Sequence, residues 1–333
     1  MLKFILSGFL LWTSCCHAAM KNKKYLIKGA ERQKVISENA TTVTCCDFFG
    51  KKIILKKIPK RVVIGYTSMV SMWYLAGGKA IAVPNNRELE NKNLPKEART
   101  LPRIGSFSHL NIEKIISLKP DLVILPVFSS GSGIAGNASL LKSTGIEALS
   151  VYYANYAGFL KILDIFSRIN GTCLKQNTKI KQIIGQVNTL TKKAAKLKSP
   201  RFLSIFFSGR GVSAELNRAN TAQMAKMLNG TNIVEKFGKS ISGSRIPFSM
   251  ERVIMENPDI ILVTTMGNSK KLKARLKKSL MADPVWNSMR AVKSGNVHFL
   301  PNTLFLYKAN EYYGQSFKYL AKLLYPKEKW DIN

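Results

Sequence analysis

The sequence predicts an α/β protein of two Rossmann-like α/β lobes joined by a long rigid connecting helix, with a ligand cleft between the lobes. Three observations lead there. A helix–Pro–Asp–strand unit occurs twice, over residues 112–125 and 250–263. A long amphipathic helical pattern lies between the copies, and no Gly-rich tether accompanies it. Finally, 333 residues with 46% hydrophobic content can fill two cores. Two units built alike, each burying a strand, imply two lobes.

In chain order, residues 1–19 read as a signal peptide. Lys3 supplies a basic start, Phe4 to Trp12 an apolar run, and Ala18-Ala19 a small-residue cleavage site. The apolar run is shorter than the roughly 20 residues that span a bilayer. The mature chain is therefore expected in the periplasm. Cys15 and Cys16 leave a lipid-anchored N-terminus as an alternative, although Trp12-Thr13-Ser14 departs from a lipoprotein cleavage box. Beyond the leader remain Cys45, Cys46 and Cys173, an odd number, so at least one thiol stays free. A bridge from Cys45 or Cys46 to Cys173 stays open, and none of the three has metal-site spacing.

Residues 20–44 form a polar, Lys-rich lead, and the N-terminal lobe is expected over residues 45–155. Asp47 to Lys52 reads as a hairpin turn, Val62 to Gly65 as a strand, and Thr67 to Ala76 as a helix stopped by Gly77-Gly78. Ile81 to Val83 reads as a short strand. The connecting segment covers residues 156–199, with Ile180, Ile183, Ile184, Val187, Leu190 and Ala194 on one helical face. Pro200 ends it. The C-terminal lobe follows over residues 200–333, its first strand running from Phe202 to Phe207.

The net charge of +33 is extreme. Its lysines are scattered along the chain, as on a solubilising basic surface; attraction to an anionic ligand or membrane surface is the sharper reading. Nucleic acid is not an expected partner of an exported chain. Nor is an enzyme expected: no Ser-His-Asp order, paired-carboxylate cleft or H-E-x-x-H stands out.

The repeat carries the most information. Ile112-Glu113-Lys114-Ile115-Ile116 leads to Lys119-Pro120-Asp121 and Leu122 to Leu125; Met250-Glu251-Arg252-Val253-Ile254 leads to Asn257-Pro258-Asp259 and Ile260 to Val263. In both copies Glu precedes Pro by seven residues. Each is a short helix stopped by Pro, then a buried parallel strand. These motifs join Pro59-Lys60-Arg61-Val62-Val63, Ile104-Gly105 before Asn111, Met227 to Val234, Ser249-Met250-Glu251, Asp283-Pro284-Val285-Trp286 and Ala291 to Val297. In that order and spacing the chain, over roughly residues 45–325, resembles the class III periplasmic binding proteins. These carry ferric siderophores, haem, cobalamin and related chelates to ABC importers.

The resemblance implies that Glu113 and Glu251 dock against basic residues of an ABC permease. Each also lies in the first turn of its helix, where a carboxylate is favoured in any case. The loop before each repeated helix should line the cleft, with Phe107 and Arg245 in pseudo-equivalent places six residues before their Glu. Cobalamin-binding relatives are expected to hold an aromatic residue at both, and haem carriers a Tyr where this chain has Ser106; both departures count against those ligands. Arg245 suits a carboxylate, and Arg210 offers a second guanidinium or a solvated loop residue. Gly209 to Ala214 mimics a dinucleotide fingerprint, which an exported chain has little use for. His109 is a metal-ligand candidate or a hydrogen-bonded loop residue; His298, in a strand, reads as structural. Tyr66 and Tyr307 are further cleft candidates, because phenolate suits Fe³⁺. The expected function is capture of an anionic metal chelate, Fe³⁺ before Ni²⁺, by a monomer with no tightly bound cofactor. A basic membrane-surface protein with a vestigial cleft is the contrasting reading.

Overall fold

A computed structural model of the chain describes residues 28–85, 94–106, 109–127, 132–238, 243–266, 274–276, 278 and 282–331. The N-terminal half opens with an antiparallel sheet of β1 (Lys34–Glu38), β2 (Thr42–Cys46) and β3 (Lys52–Lys56). The turn expected at Asp47 to Lys52 joins β2 to β3. There the Asp47 carboxylate accepts the Lys51 N–H at 2.8 Å, and Gly50 takes a φ of 86° that a side chain would strain.

A parallel sheet follows in the order β4 (Val62–Ile64), β8 (Leu122–Pro126), β9 (Glu147–Val151). Around it lie α1 (Thr67–Leu75), a small sheet of β5 (Val83–Asn85), β6 (Arg103–Ser106) and β7 (His109–Leu110), then α2 (Ile112–Ser117) and α3 (Ser132–Ser143). The strand expected at Ile81 to Val83 is displaced: Ala82 alone bridges Val63, and β5 starts at Val83.

Two helices form the connection, α4 (Tyr156–Ile169) and α5 (Thr178–Ala194). Of the face read from sequence, Ile180, Ile183, Val187, Leu190 and Ala194 are buried, and Ile184 packs against the same core. The C-terminal lobe is one sheet in the order β13 (Arg245–Pro247), β11 (Gly211–Glu215), β10 (Arg201–Ser208), β14 (Ile260–Met266), β15 (Val297–Phe299), with β12 (Thr231–Asn232) beside β10. Its helices are α6 (Asn220–Met227), α7 (Met250–Glu256), α8 (Pro284–Ser288) and α9 (Arg290–Lys293); α10 (Asn302–Phe305) and α11 (Tyr313–Leu324) close the chain. At α8 the Asp-Pro-Val-Trp motif is explained locally. Asp283 caps the helix by accepting the Val285 N–H, Pro284 fills the first turn, and Trp286 is fully buried.

The repeat is geometric as well as sequential. Each helix ends on a residue forced into the left-handed region, Lys119 at φ 45° and Asn257 at φ 40°, immediately before Pro. The Asp that follows then clamps the start of the neighbouring parallel strand. Asp121 accepts the Lys60 and Arg61 N–H groups at 2.8 and 3.0 Å, and Asp259 accepts the Arg201 N–H at 2.9 Å. In return each Asp N–H donates to the Arg61 or Arg201 carbonyl. Pairing then proceeds in register from Val62 with Leu122 and from Phe202 with Ile260.

Alternation along these central strands divides the core. Val62, Ile64, Leu122, Ile124, Phe202, Ile260 and Leu262 face one helical layer common to both halves. The intervening Val63, Val123 and Leu125, and Leu203, Ile205, Ile261 and Val263, face separate clusters. A shared layer of close-packed side chains resists shear, which favours small relative motion of the lobes.

One expectation needs correction: the fold begins inside the expected polar lead, where a helical turn at residues 28–32 and strand β1 already belong to it. There β1 is an edge strand with little buried surface, so its sequence lacks a clear alternation. Cys45, Cys46 and Cys173 are all free thiols, Cys45 buried and Cys173 exposed, so no bridge to Cys173 forms. Burial pushes the Cys45 thiol up to about 12, which keeps it protonated and inert. Among the described residues no helix is long and apolar enough to cross a membrane.

Candidate functional site

Arg245 opens β13 and lies directly opposite Glu215 in the β11–β13 register. Its Nε and Nη2 both reach Glu215 Oε1 at 3.0 Å, and its guanidinium lies 3.6 Å above the centre of the Phe206 ring. Glu215 is only 3% exposed, and its other oxygen accepts the Ser204 hydroxyl at 2.8 Å. A buried carboxylate therefore holds the guanidinium flat on an aromatic ring, a rigid mount for a charge that must meet a ligand.

Lys308, in the loop before α11, joins this cluster from the helical layer. Its ammonium donates to the Ala154 carbonyl at 2.7 Å and lies 5.3 Å from the Tyr153 ring centre. Burial first, and then the charge of Arg245, push its pKa down to about 8, with Glu215 opposing. Tyr153 donates to Asn310, whose amide in turn donates to the Ser68 carbonyl and Ser71 hydroxyl. Ser68 also donates to the Tyr307 carbonyl at 3.1 Å, so the late loop is sewn to the start of α1. Tyr66 stands at that helix start; burial raises its phenol, and a hydrogen bond with Ser68 draws it partly back. Segments from both halves and from the helical layer thus meet around Arg245.

A family model described as Periplasmic binding protein matches residues 62–304. The chain is a class III periplasmic binding protein of ABC importers. Its relatives include the uncharacterized ABC transporter substrate-binding lipoprotein YvrC of Bacillus subtilis, 26% identical over 260 residues and 77% of either chain. The high-affinity heme uptake system protein IsdE of Staphylococcus aureus is 22% identical, over 72% of this chain and 79% of that one. Among solved structures, an ABC transporter substrate-binding protein from Listeria monocytogenes superposes with a TM-score of 0.68 at 19% identity, covering 81% of this chain and all of that one. Helicobacter pylori CeuE with Ni-His gives 0.63 at 17% identity, over 86% of this chain and 89% of that one. Both likenesses establish the fold.

In the binding protein, Arg210 sits at the tip of the β10–β11 hairpin and lines, with Arg245, Phe206 and Met266, one open cavity of about 810 Å³. The structure brings the two arginines read from sequence together on that wall. The same hairpin disposes of the dinucleotide fingerprint: Gly211 opens an antiparallel strand, whereas phosphate binding needs a helix N-terminus there. Phe107 lies outside the described residues. His109 is exposed in the β6–β7 hairpin, opposite Ser106. The adjoining Leu110 packs against Gly65, where an added Cβ would meet it at 3.0 Å, so the hairpin stands by the end of β4 near Tyr66. Among the described residues no group of three or more His, Cys, Asp or Glu gathers to hold a metal ion. His298 is half-buried in β15, and burial lowers its pKa, as suits a structural imidazole.

Glu113 and Glu251 are both exposed, in the first turns of α2 and α7, where Asn111 and Ser249 cap the helices by accepting the Lys114 and Arg252 N–H groups. Sequence reasoning missed Glu215 and Lys308. Glu215 had a signal: an acid between Ala214 and Leu216, at the end of a strand, in a chain with only 19 Asp and Glu. Lys308 had none, being one of 52 basic residues.

Lys308 is expected to make the site sensitive to pH. A lysine with a depressed pKa binds fewer protons folded than unfolded between pH about 8 and its ordinary 10.5, so stability is expected to rise with pH across that window. Affinity for an anionic ligand should fall over the same window, as the cleft loses a positive charge. Binding measured from pH 6 to 10 checks this, and Lys308→Met should flatten the profile.

Proposed function

We propose that this binding protein captures an anionic metal chelate, a ferric complex before a nickel one, and hands it to an ABC permease. The observation that carries the reading is the guanidinium of Arg245, clamped by buried Glu215 and stacked on Phe206. Arg210 on the same cavity wall and Lys308 behind it add positive charge where carboxylates of a chelate would lie. Two tyrosines at the junction, Tyr66 and Tyr307, favour iron, for which phenolate is a hard ligand. His109, in the hairpin near Tyr66, would complete a nickel chelate. In this reading the metal arrives inside its chelator, and the protein supplies charge and at most one or two further ligands.

Relatives named as a heme uptake protein and a Ni-His complex support chelates as the cargo class. YvrC, named as a lipoprotein, supports an exported chain, periplasmic or held by a lipid at its N-terminus. The protein acts as a monomeric carrier rather than an enzyme, and exposed Glu113 and Glu251 present it to the permease.

Fluorescence quenching tests the reading, with ferric siderophores, ferric citrate, nickel–histidine, haem and cobalamin as titrants. Tight saturation that survives high salt is the expected result. Arg245→Ala should weaken the bound chelate about 10- to 100-fold, the range for losing a charge-assisted hydrogen-bonded pair. Unchanged affinity for every chelate that binds the parent would sink the role of Arg245. Binding of no chelate, together with adhesion to anionic vesicles at low salt only, would move the function to the membrane surface.

A further inference from the structure

A second cavity, of about 390 Å³, meets the Arg210–Arg245 cavity at Ser244. That volume is at the lower end of the range, about 300–1,000 Å³, that holds small organic ligands. One wall is Tyr152, Tyr153, Ala154, Ala157 and Gly158, where β9 passes into α4. Gly243 and Ser244 of the C-terminal lobe form a second wall, and the N-terminal strap, Ala30 to Gln33, forms the third.

The strap is fastened firmly. Gln33 is 1% exposed and pairs with the Tyr152 backbone at both ends of its amide, donating at 2.8 Å and accepting at 2.7 Å. Lys161 of α4 donates to the Ala30 and Glu31 carbonyls at 2.8 and 2.9 Å. Gly29 lies against the Phe48 ring so closely that an added Cβ would fall 2.2 Å from it.

These bonds also decide the chemistry of the cavity. The Gln33 amide and the Lys161 ammonium are engaged by backbone groups. Asn155 is engaged too, accepting from Gly158 and donating to the Arg218 carbonyl. The Arg218 guanidinium, also in the lining, donates to the Gly243 and Gly238 carbonyls, and Glu31 at the rim is exposed to solvent. The rest of the surface that faces the space is chiefly tyrosine rings, alanine methyls and glycine backbone. Ser244 borders both this cavity and the Arg210–Arg245 cavity, so the two adjoin.

We propose that the strap pocket is a second compartment of the ligand site, which takes an uncharged aromatic or aliphatic arm of the chelate while its carboxylates lie against Arg245 and Arg210. This rests on the chelate reading above. It divides the cargo class, favouring chelators that carry both an acidic end and an apolar arm over compact hydroxy-acid complexes.

The test fills the pocket from opposite walls with Ala157→Trp and Ala30→Trp, each checked for parental circular dichroism and thermal melting. Three probes are titrated: ferric citrate, a ferric catecholate bearing both carboxylates and aryl arms, and the apolar dye 1-anilinonaphthalene-8-sulfonate. Both variants should bind the catecholate at least tenfold more weakly and citrate within twofold of the parent, and should lose the dye's fluorescence enhancement. Equal catecholate affinity in the parent and both folded variants, or an equal loss of citrate, overturns the proposal. Should neither chelate bind the parent, the chelate reading fails separately and the dye decides the pocket. Dye bound saturably by the parent and lost in both variants upholds an apolar site, and dye bound equally by all three removes it.

Discussion

Glu215→Leu is expected to destabilise the protein by about 2–3 kcal/mol and to weaken chelate binding in the same variant. Removing one partner of a buried ion pair typically costs about 3–5 kcal/mol, because the remaining charge is stranded. Here the Arg245 side chain is 37% exposed and can regain water, which places the loss below that range. The Ser204 hydroxyl would also lose its acceptor at a buried position. Without the carboxylate, Arg245 and Lys308 repel each other unopposed, so the Lys308 pKa should fall further below about 8. Urea unfolding at pH 6 and pH 9 checks both points. The deficit should shrink at pH 9, where Lys308 is largely neutral in the parent as well. A variant as stable as the parent at both values would show that the charge cluster contributes nothing to the mount of Arg245.

The double substitution Glu113→Ala, Glu251→Ala should leave chelate affinity unchanged while import of the bound chelate falls to the level of cells lacking the protein. Both carboxylates are exposed, and neither lines the cavities around Arg245. The caps of the two helices come from Asn111 and Ser249, which remain. Stability should fall by no more than about 1 kcal/mol for each, the usual benefit of an acid in a first helical turn. Single variants should keep partial import, since each lobe would still contribute its own contact. Uptake of the radiolabelled chelate in cells expressing each variant is the measurement, and full import by the double variant would remove these residues from the docking surface.

Much of the architecture was legible because it rests on short-range chemistry. Lys119-Pro120-Asp121 and Asn257-Pro258-Asp259 each stop a helix and clamp a strand through bonds that any chain with that spacing would make. Asp283-Pro284 caps a helix within itself, and Ile180 to Ala194 shows its buried face through its period. The edge strand Lys34–Glu38 was not legible, since an edge strand with a single neighbouring strand buries too little to leave a pattern. The dinucleotide-like Gly209 to Ala214 misled for a related reason. Glycines at a hairpin and at a phosphate loop look alike until the next element is known to be a strand.

The candidate site divides in the same way. Arg245, Arg210, Tyr66 and Tyr307 were singled out because loops before repeated helices and after strands point to a cleft, and of these the structure gathers Arg245 with Arg210 on one wall. What holds Arg245 was not visible. Glu215 is 30 residues away in the chain and opposes it only through strand register. Lys308 is drawn in by the Ala154 carbonyl, 154 residues distant.

Sequence by itself therefore determined the two-lobed plan, the strand clamps, the amphipathic spine and the pair of exposed acids, all set by neighbours within a turn or a strand. Only the tertiary structure decided how the N-terminal strap closes a pocket and which charges meet. The reason is that a buried charge takes its energy from whatever surrounds it, and for Arg245, Glu215 and Lys308 those surroundings come from strands and loops brought together by folding.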